Sequence, residues 1–138
     1  MSEGWFGDEY LVLFSEAEVS AATERYRLGE LLPGHSAIGL RGWNDLIVRD
    51  ARGRTYTVPA VPLAVQYLAP YAAPGEISLV PDGRFAGKIK WYVKPLVFGG
   101  DPNAGENLTW VTHEQHAELV TWWNAKHREI RARGAAGA

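Results

Sequence analysis

The sequence contains no cysteine among its 138 residues. That absence excludes disulfide bonds, thiolate metal ligands and a cysteine nucleophile. An excess of positive charge is also missing, because the chain carries 14 basic and 16 acidic side chains and a formal net charge of −2. A nucleic-acid-binding domain normally displays a basic face. We therefore expect no direct contact with nucleic acid.

Long hydrophobic runs and targeting signals are absent as well. The first residues, MSEGWFGDEY, are acidic and do not contain the basic and apolar segments of a signal peptide. No apolar stretch approaches the roughly 20 residues that a membrane-spanning helix needs. We expect a cytoplasmic protein that makes no contact with a membrane.

What the sequence does contain is enough apolar material for one core. Hydrophobic residues make up 46% of the chain and include six tryptophans. A chain of this length forms about one domain, so we predict a single domain over residues 1–133. Residues 134–138 are only glycine and alanine, and they predict a flexible tail because they have nothing to pack.

Apolar runs and alternating patterns predict an antiparallel sheet. Residues 9–14 and 36–40 are short apolar runs typical of strands. Residues 44–61 contain two such runs around a loop with Gly53, which is a hairpin signal. Residues 87–94, GKIKWYVK, alternate between apolar and polar side chains, as a strand with one solvated face does.

Capping boxes mark the starts of two helices. SEAE at residues 15–18 begins the first, and Gly29 is suited to end it. THEQ at residues 112–115 begins a long C-terminal helix, and Pro62 predicts a further short helix over residues 61–71. Together these elements predict an α+β fold in which an antiparallel-rich mixed sheet packs against helices.

Three potential active or metal sites fail on their spacing. The glycines around Ser36 and His35 are one residue too far apart for a hydrolase nucleophile turn, which also requires a strand followed by a helix. His113 and His116 lie three residues apart instead of the four of the zinc-protease motif. The loop at residues 101–112 has neither the glycine nor the final glutamate of a calcium loop in the required place. We expect no catalytic residue, no bound metal and no cofactor.

Two segments carry a family resemblance. Residues 26–63 contain Leu-Pro-Gly at 32–34, Ile-Gly at 38–39 and a strand that ends in Asp50. This segment resembles the front half of SUKH-superfamily proteins, and residues 97–126 are similar to the C-terminal segment of bacterial members. The superfamily includes a yeast cell-wall assembly regulator and many bacterial immunity proteins.

The resemblance implies an α+β domain without catalysis of its own. It implies an immunity protein that binds a toxin domain made by the same cell and neutralises it by covering its active site, with a nuclease or deaminase as the expected toxin. The alternative that it leaves open is a regulatory protein-interaction module in a stress or cell-envelope network, like the yeast member. Because family members meet different toxins through variable surfaces, the resemblance assigns no binding residue.

Residue chemistry alone supplies candidates for the partner surface. Trp43 follows a glycine and precedes two polar residues, so it fits either an exposed binding anchor or a lid over the core. Acidic neighbours of such an aromatic side chain suit a cationic partner. The candidates combine aromatic, amide and carboxylate side chains and are Trp43, Asn44, Asp45, Asp8, Glu9 and Trp5.

Overall fold

The structure, a computed structural model, describes residues 1–75 and 78–136. Its centre is a six-stranded antiparallel sheet whose strands lie side by side in chain order. The strands are β1 (Ser2–Phe6), β2 (Glu9–Leu13), β3 (Ser36–Arg41), β4 (Asp45–Arg49), β5 (Thr55–Pro59) and β6 (Ala69–Pro70). The predicted strands at residues 9–14 and 36–40 are thereby confirmed, whereas the sequence analysis did not anticipate β1.

A second, two-stranded antiparallel sheet and the helices complete the fold. The sheet consists of β7 (Ile89–Tyr92) and β8 (Leu108–Val111), and the helices are α1 (Glu16–Arg25), α2 (Leu28–Leu31) and α3 (His113–Ala136). The predicted α+β class with a long C-terminal helix is confirmed. None of the helices within the described residues combines the length and apolar character that crossing a bilayer demands.

Glycines shape the sheet at two predicted places. Gly53 adopts a φ of 82° in the loop between β4 and β5, which confirms the predicted hairpin. At Gly39 the register between β3 and β4 shifts, and an added Cβ would lie 2.3 Å from the carbonyl oxygen of Val12 on β2. Only glycine permits so close a backbone approach at this position.

The main core lies between one face of the six-stranded sheet and the helices. α1 contributes Val19 and Ala22, and Tyr26 follows at the helix end with 2% of its surface exposed. The Tyr26 hydroxyl is hydrogen-bonded to Nδ1 of His116 on α3 over 2.7 Å. Val19, Ala22 and Tyr26 therefore form the buried face of this segment, and Tyr26 also connects it to α3.

The first helix ends earlier than predicted. α1 stops at Arg25, Arg27 adopts a left-handed φ of 54°, and Gly29 lies inside the short α2. The prediction that Gly29 ends the helix is wrong. In a continuous helix Leu28 would point away from the side that buries Tyr26. The break allows both side chains to enter the core, where Leu28 is fully buried.

The predicted helix over residues 61–71 is also wrong, since only a 3₁₀ turn at Val65–Tyr67 forms there. Ala64, directly before this turn, has the extended backbone angles φ −153° and ψ 146°, which interrupt a helix. The buried Asn124 of α3 binds the backbone in front of it. Its Oδ1 accepts a hydrogen bond from the Leu63 amide at 2.7 Å, and its Nδ2 donates to the carbonyl of Ala60 at 2.7 Å. These hydrogen bonds tie the segment that leads into the turn to α3.

α3 confirms the second capping box. The backbone N–H of Thr112 donates to the side-chain oxygen of Gln115, and the backbone N–H of Gln115 donates to the hydroxyl of Thr112. The helix buries His116 and Asn124 together with apolar residues. It continues to Ala136, into the stretch predicted as a tail, and residues 137–138 lie outside the described residues.

Replacing the buried amide by a carboxylate tests its role. Asn124→Asp places an oxygen where the amide nitrogen now donates to the carbonyls of Ala60 and Val120. We expect a loss of about 3 kcal/mol or more in the free energy of unfolding, measured with denaturant. Asn103→Asp, at an exposed position, serves as the control. Equal stability of the two variants would contradict this role.

The buried histidine predicts a pH dependence of stability. Burial, with a smaller contribution from His113, lowers the pKa of His116 to about 3. Between an ordinary histidine pKa of about 6.5 and that value, the unfolded chain binds a proton that the folded chain does not. The free energy of unfolding therefore falls with decreasing pH in this range, by up to about 1.4 kcal/mol per pH unit. His116→Gln flattens this slope in denaturant titrations, and an unchanged slope would contradict the assignment.

Candidate partner-binding site

Five aromatic rings pack together where the two sheets meet. Trp43, in the turn between β3 and β4, contacts the four other rings, with Tyr10 stacked at a centroid distance of 5.0 Å. We call this group the aromatic cluster; its members are Trp5, Tyr10, Trp43, Phe85 and Trp110. Because these rings come from distant parts of the chain, the cluster holds the second sheet against the first.

Polar contacts orient the rings at the edge of the cluster. The indole nitrogen of Trp5 donates to Asp82 at 3.0 Å, and the hydroxyl of Tyr10 donates to Glu3 at 2.6 Å. Trp43 has a left-handed φ of 63°, a conformation that is unfavourable for a bulky residue unless its surroundings enforce it. Ring packing supplies that enforcement.

A groove of about 200 Å³ opens beside the aromatic cluster. One side is formed by residues 43–44 of the β3–β4 turn and by Asp45 at the start of β4, and residues 59–61 follow at the end of β5. The other side comes from residues 91–92 of β7 and residues 95–97 after it. The lining is mostly apolar and aromatic, a composition typical of a cleft that receives a partner's side chain.

The rim of the groove exposes apolar side chains to solvent. Leu96 and Val97 each leave 47% of their surface exposed, and Trp110 of the aromatic cluster leaves 41% exposed. Apolar side chains gathered on a surface mark an interaction site more often than scattered ones do. The groove and these residues together form what we call the groove face.

Asp45 is the acidic residue of the groove. Its pKa is raised above the ordinary aspartate value, mainly by burial, with opposition from the nearby charge of Arg41. Among the described residues its carboxylate has no hydrogen-bond or ion-pair partner. The neighbouring Asn44 is exposed. A polar group that is half removed from water without a partner is free to accept a hydrogen bond from a docked molecule.

The groove unites half of the residues proposed from the sequence. Trp43, Asn44 and Asp45 line it, whereas Trp5 lies behind them in the aromatic cluster. The ring of Trp43 packs against the core, as the interpretation as a lid expects. It also borders the groove, and its role as a binding anchor stays a prediction.

The two other candidates lie in and beside the turn between β1 and β2. Asp8 is exposed there. Glu9 accepts a hydrogen bond from Nε of Arg41 at 2.9 Å, and this contact lowers the pKa of Glu9 below its usual value. Glu9 is thus already occupied by a cation of the same chain, and neither residue lines the groove.

Sequence reasoning missed the second side of the groove. Residues 95–98, PLVF, begin a loop rich in glycine, proline and asparagine, and none of them is among the candidates proposed from the sequence. The available signal was three consecutive apolar residues in such a loop, which is unfavourable on a surface without a function.

The sites that the sequence argued against remain dispersed. Ser36 begins β3 opposite Arg49, and His35 is hydrogen-bonded through Nδ1 to the carbonyl oxygen of Pro33. His113 faces a separate cavity against α1, while Nδ1 of His116 is hydrogen-bonded to Tyr26. Within residues 1–75 and 78–136, no three histidine, aspartate or glutamate side chains gather in a metal-binding arrangement.

The packing of Trp43 predicts its contribution to stability. Trp43→Ala removes a ring that contacts four others, and we expect the free energy of unfolding to fall by about 3 kcal/mol. Trp122→Ala is the matched control, because the Trp122 side chain is 58% exposed and its loss should cost less than about 1 kcal/mol. Denaturant unfolding of both variants measures the difference, and similar losses would refute the importance of the cluster.

Comparison with known proteins does not add a relative to this picture. No protein-family model, no curated protein and no solved structure matches the chain.

Proposed function

We propose that this chain is an immunity protein that binds a toxin domain made by the same cell and neutralises it by covering its active site. The proposal combines the resemblance of residues 26–63 and 97–126 to SUKH proteins with the geometry of the groove face. A nuclease or deaminase is the expected class of toxin, and the protein itself performs no catalysis.

The observation that carries the proposal is the exposed apolar rim of the groove. Leu96 and Val97 lie beside a groove that also contains an unpaired carboxylate, Asp45. Contact with a partner would remove the apolar side chains from water, and burial stabilises a complex by about 25 cal/mol per Å² of apolar surface before the costs of association. A groove lined by aromatic side chains and bordered by exposed apolar residues has the composition found at the centre of protein–protein interfaces.

The position of the groove suits inhibition by coverage. Its two sides are held by different sheets, and the aromatic cluster fixes these sheets relative to each other. A rigid surface loses little conformational entropy when it docks. Such a surface is able to hold a partner's active site closed without any chemical step.

Two valines in similar local structures test the groove face. Val97 and Val65 each belong to a short 3₁₀ helix and are 47% and 61% exposed. We expect Val97→Asn to weaken binding to the toxin domain encoded beside this gene by about tenfold, as loss of a central contact does. Val65→Asn is expected to bind like the wild type.

The measurement is titration calorimetry of the purified pair, accompanied by growth of cells that co-express the toxin domain. Rescue by the wild type and by Val65→Asn, with reduced rescue by Val97→Asn, is the expected result. Failure of the wild type to protect cells or to bind any neighbouring toxin domain would refute the immunity function, and the regulatory module would then replace it.

A further inference from the structure

Lysine is concentrated at one place in this chain. Of the 14 basic residues only four are lysines, and three of these lie within residues 88–94. Lys90 belongs to β7, Lys88 precedes this strand, and Lys94 follows it. Lys88 and Lys94 are exposed and Lys90 is half-buried. We call these three residues the lysine row.

The lysine row borders the groove face. Lys90 lies opposite Trp110 in the pairing of β7 with β8, so both side chains project from the same face of the small sheet. Nζ of Lys90 lies 6.0 Å from the ring centre of Tyr92, which lines the groove. Lys94 lies between Tyr92 and the apolar residues 95–97 of the rim.

The charges of the lysine row are not neutralised by any carboxylate among the residues that the structure describes. In the described part of the chain, no carboxylate lies within ion-pair distance of Lys88, Lys90 or Lys94. Many acids, by contrast, are paired internally. The ion pairs are Glu9 with Arg41, Glu16 with Arg49, Glu18 with the N-terminal amine, Asp50 with Arg54, Asp82 with Arg84, and Glu129 with both Lys126 and Arg133.

We propose that the partner docks an acidic polypeptide segment on the groove face. One apolar side chain of that segment enters the groove, and neighbouring carboxylates meet the lysine row. This inference rests on the proposed function and names the chemistry of the partner surface. It reverses the cationic partner that the sequence favours, because Glu9 is neutralised by Arg41 while no described carboxylate neutralises the lysines.

The arrangement assigns separate roles to the two kinds of residue. A groove of about 200 Å³ has space for a large apolar side chain and supplies the contact that slows dissociation. Flexible lysines at a rim act as point charges that attract an oppositely charged surface and accelerate association. The overall charge of −2 makes this local reversal of sign a directional signal for the partner.

Two triple variants with the same loss of charge test the proposal. The test variant is Lys88→Gln with Lys90→Gln and Lys94→Gln. The control is Lys126→Gln with Arg128→Gln and Arg131→Gln, which removes three cations from the second half of α3, where Arg128 and Arg131 are exposed and Lys126 is half-buried. Stopped-flow association with the neighbouring toxin domain should be about tenfold slower for the test variant at low salt and less sensitive to added salt. The control should stay within about twofold of the wild type.

A result that separates the two proposals is available in the same assay. If the lysine variant associates like the wild type while Val97→Asn loses affinity, the acidic segment is refuted and the immunity function stands. If no toxin domain binds at all, the immunity function is refuted. A peptide probe then tests separately whether the groove face binds an acidic segment.

That probe is a short fluorescent peptide of glutamates around a central leucine, followed by anisotropy. Binding that weakens by about tenfold in the lysine variant and is lost when glutamine replaces glutamate supports the proposal. Equal binding of the glutamine peptide would overturn it. A single-stranded oligothymidylate that binds as tightly as the peptide would also overturn it and identify the face as a nucleic-acid surface.

Discussion

The packing of Trp43 among four other rings is the contact on which the arrangement of this protein depends. The ring sits on a turn whose backbone is left-handed at both Gly42 and Trp43. It joins β1 and β2 to the turn around Phe85 and to Trp110 of the second sheet. These contacts help to fix the two sides of the groove relative to each other.

A second set of contacts ties α3 to the rest of the molecule through polar atoms. Asn124 binds the backbone directly after β5. Residues 59–61, at the end of this strand, line the groove. His116 binds Tyr26 at the end of α1. Buried polar groups are stabilising only when they are satisfied, and they then specify one arrangement of the surrounding elements. The helix therefore determines both how α1 packs and where one part of the groove lies.

The local charge at the groove differs in sign from the net charge of the chain. The chain is mildly acidic overall, but several of its carboxylates pair with arginines or with the N-terminal amine. The lysines beside the groove have no such partner in the described part of the chain. The field that an approaching molecule meets at the groove is thus set by three lysines and a half-buried aspartate, not by the net charge. This local field is why the structure favours an acidic docking segment.

The sequence by itself determined the elements whose signals are local. Capping boxes located the starts of α1 and α3, Gly53 located a hairpin, and alternation located β7, because each depends on neighbours along the chain. It also singled out Trp43 and Asp45. Only the tertiary structure decided where α1 ends, what residues 61–71 form and that residues 95–97 face Trp43. The end of α1 follows from the burial of Leu28, and the positions of residues 60–63 and 95–97 follow from the hydrogen bonds of Asn124 and from ring packing between distant segments. Contacts of that kind leave no periodic trace in a sequence.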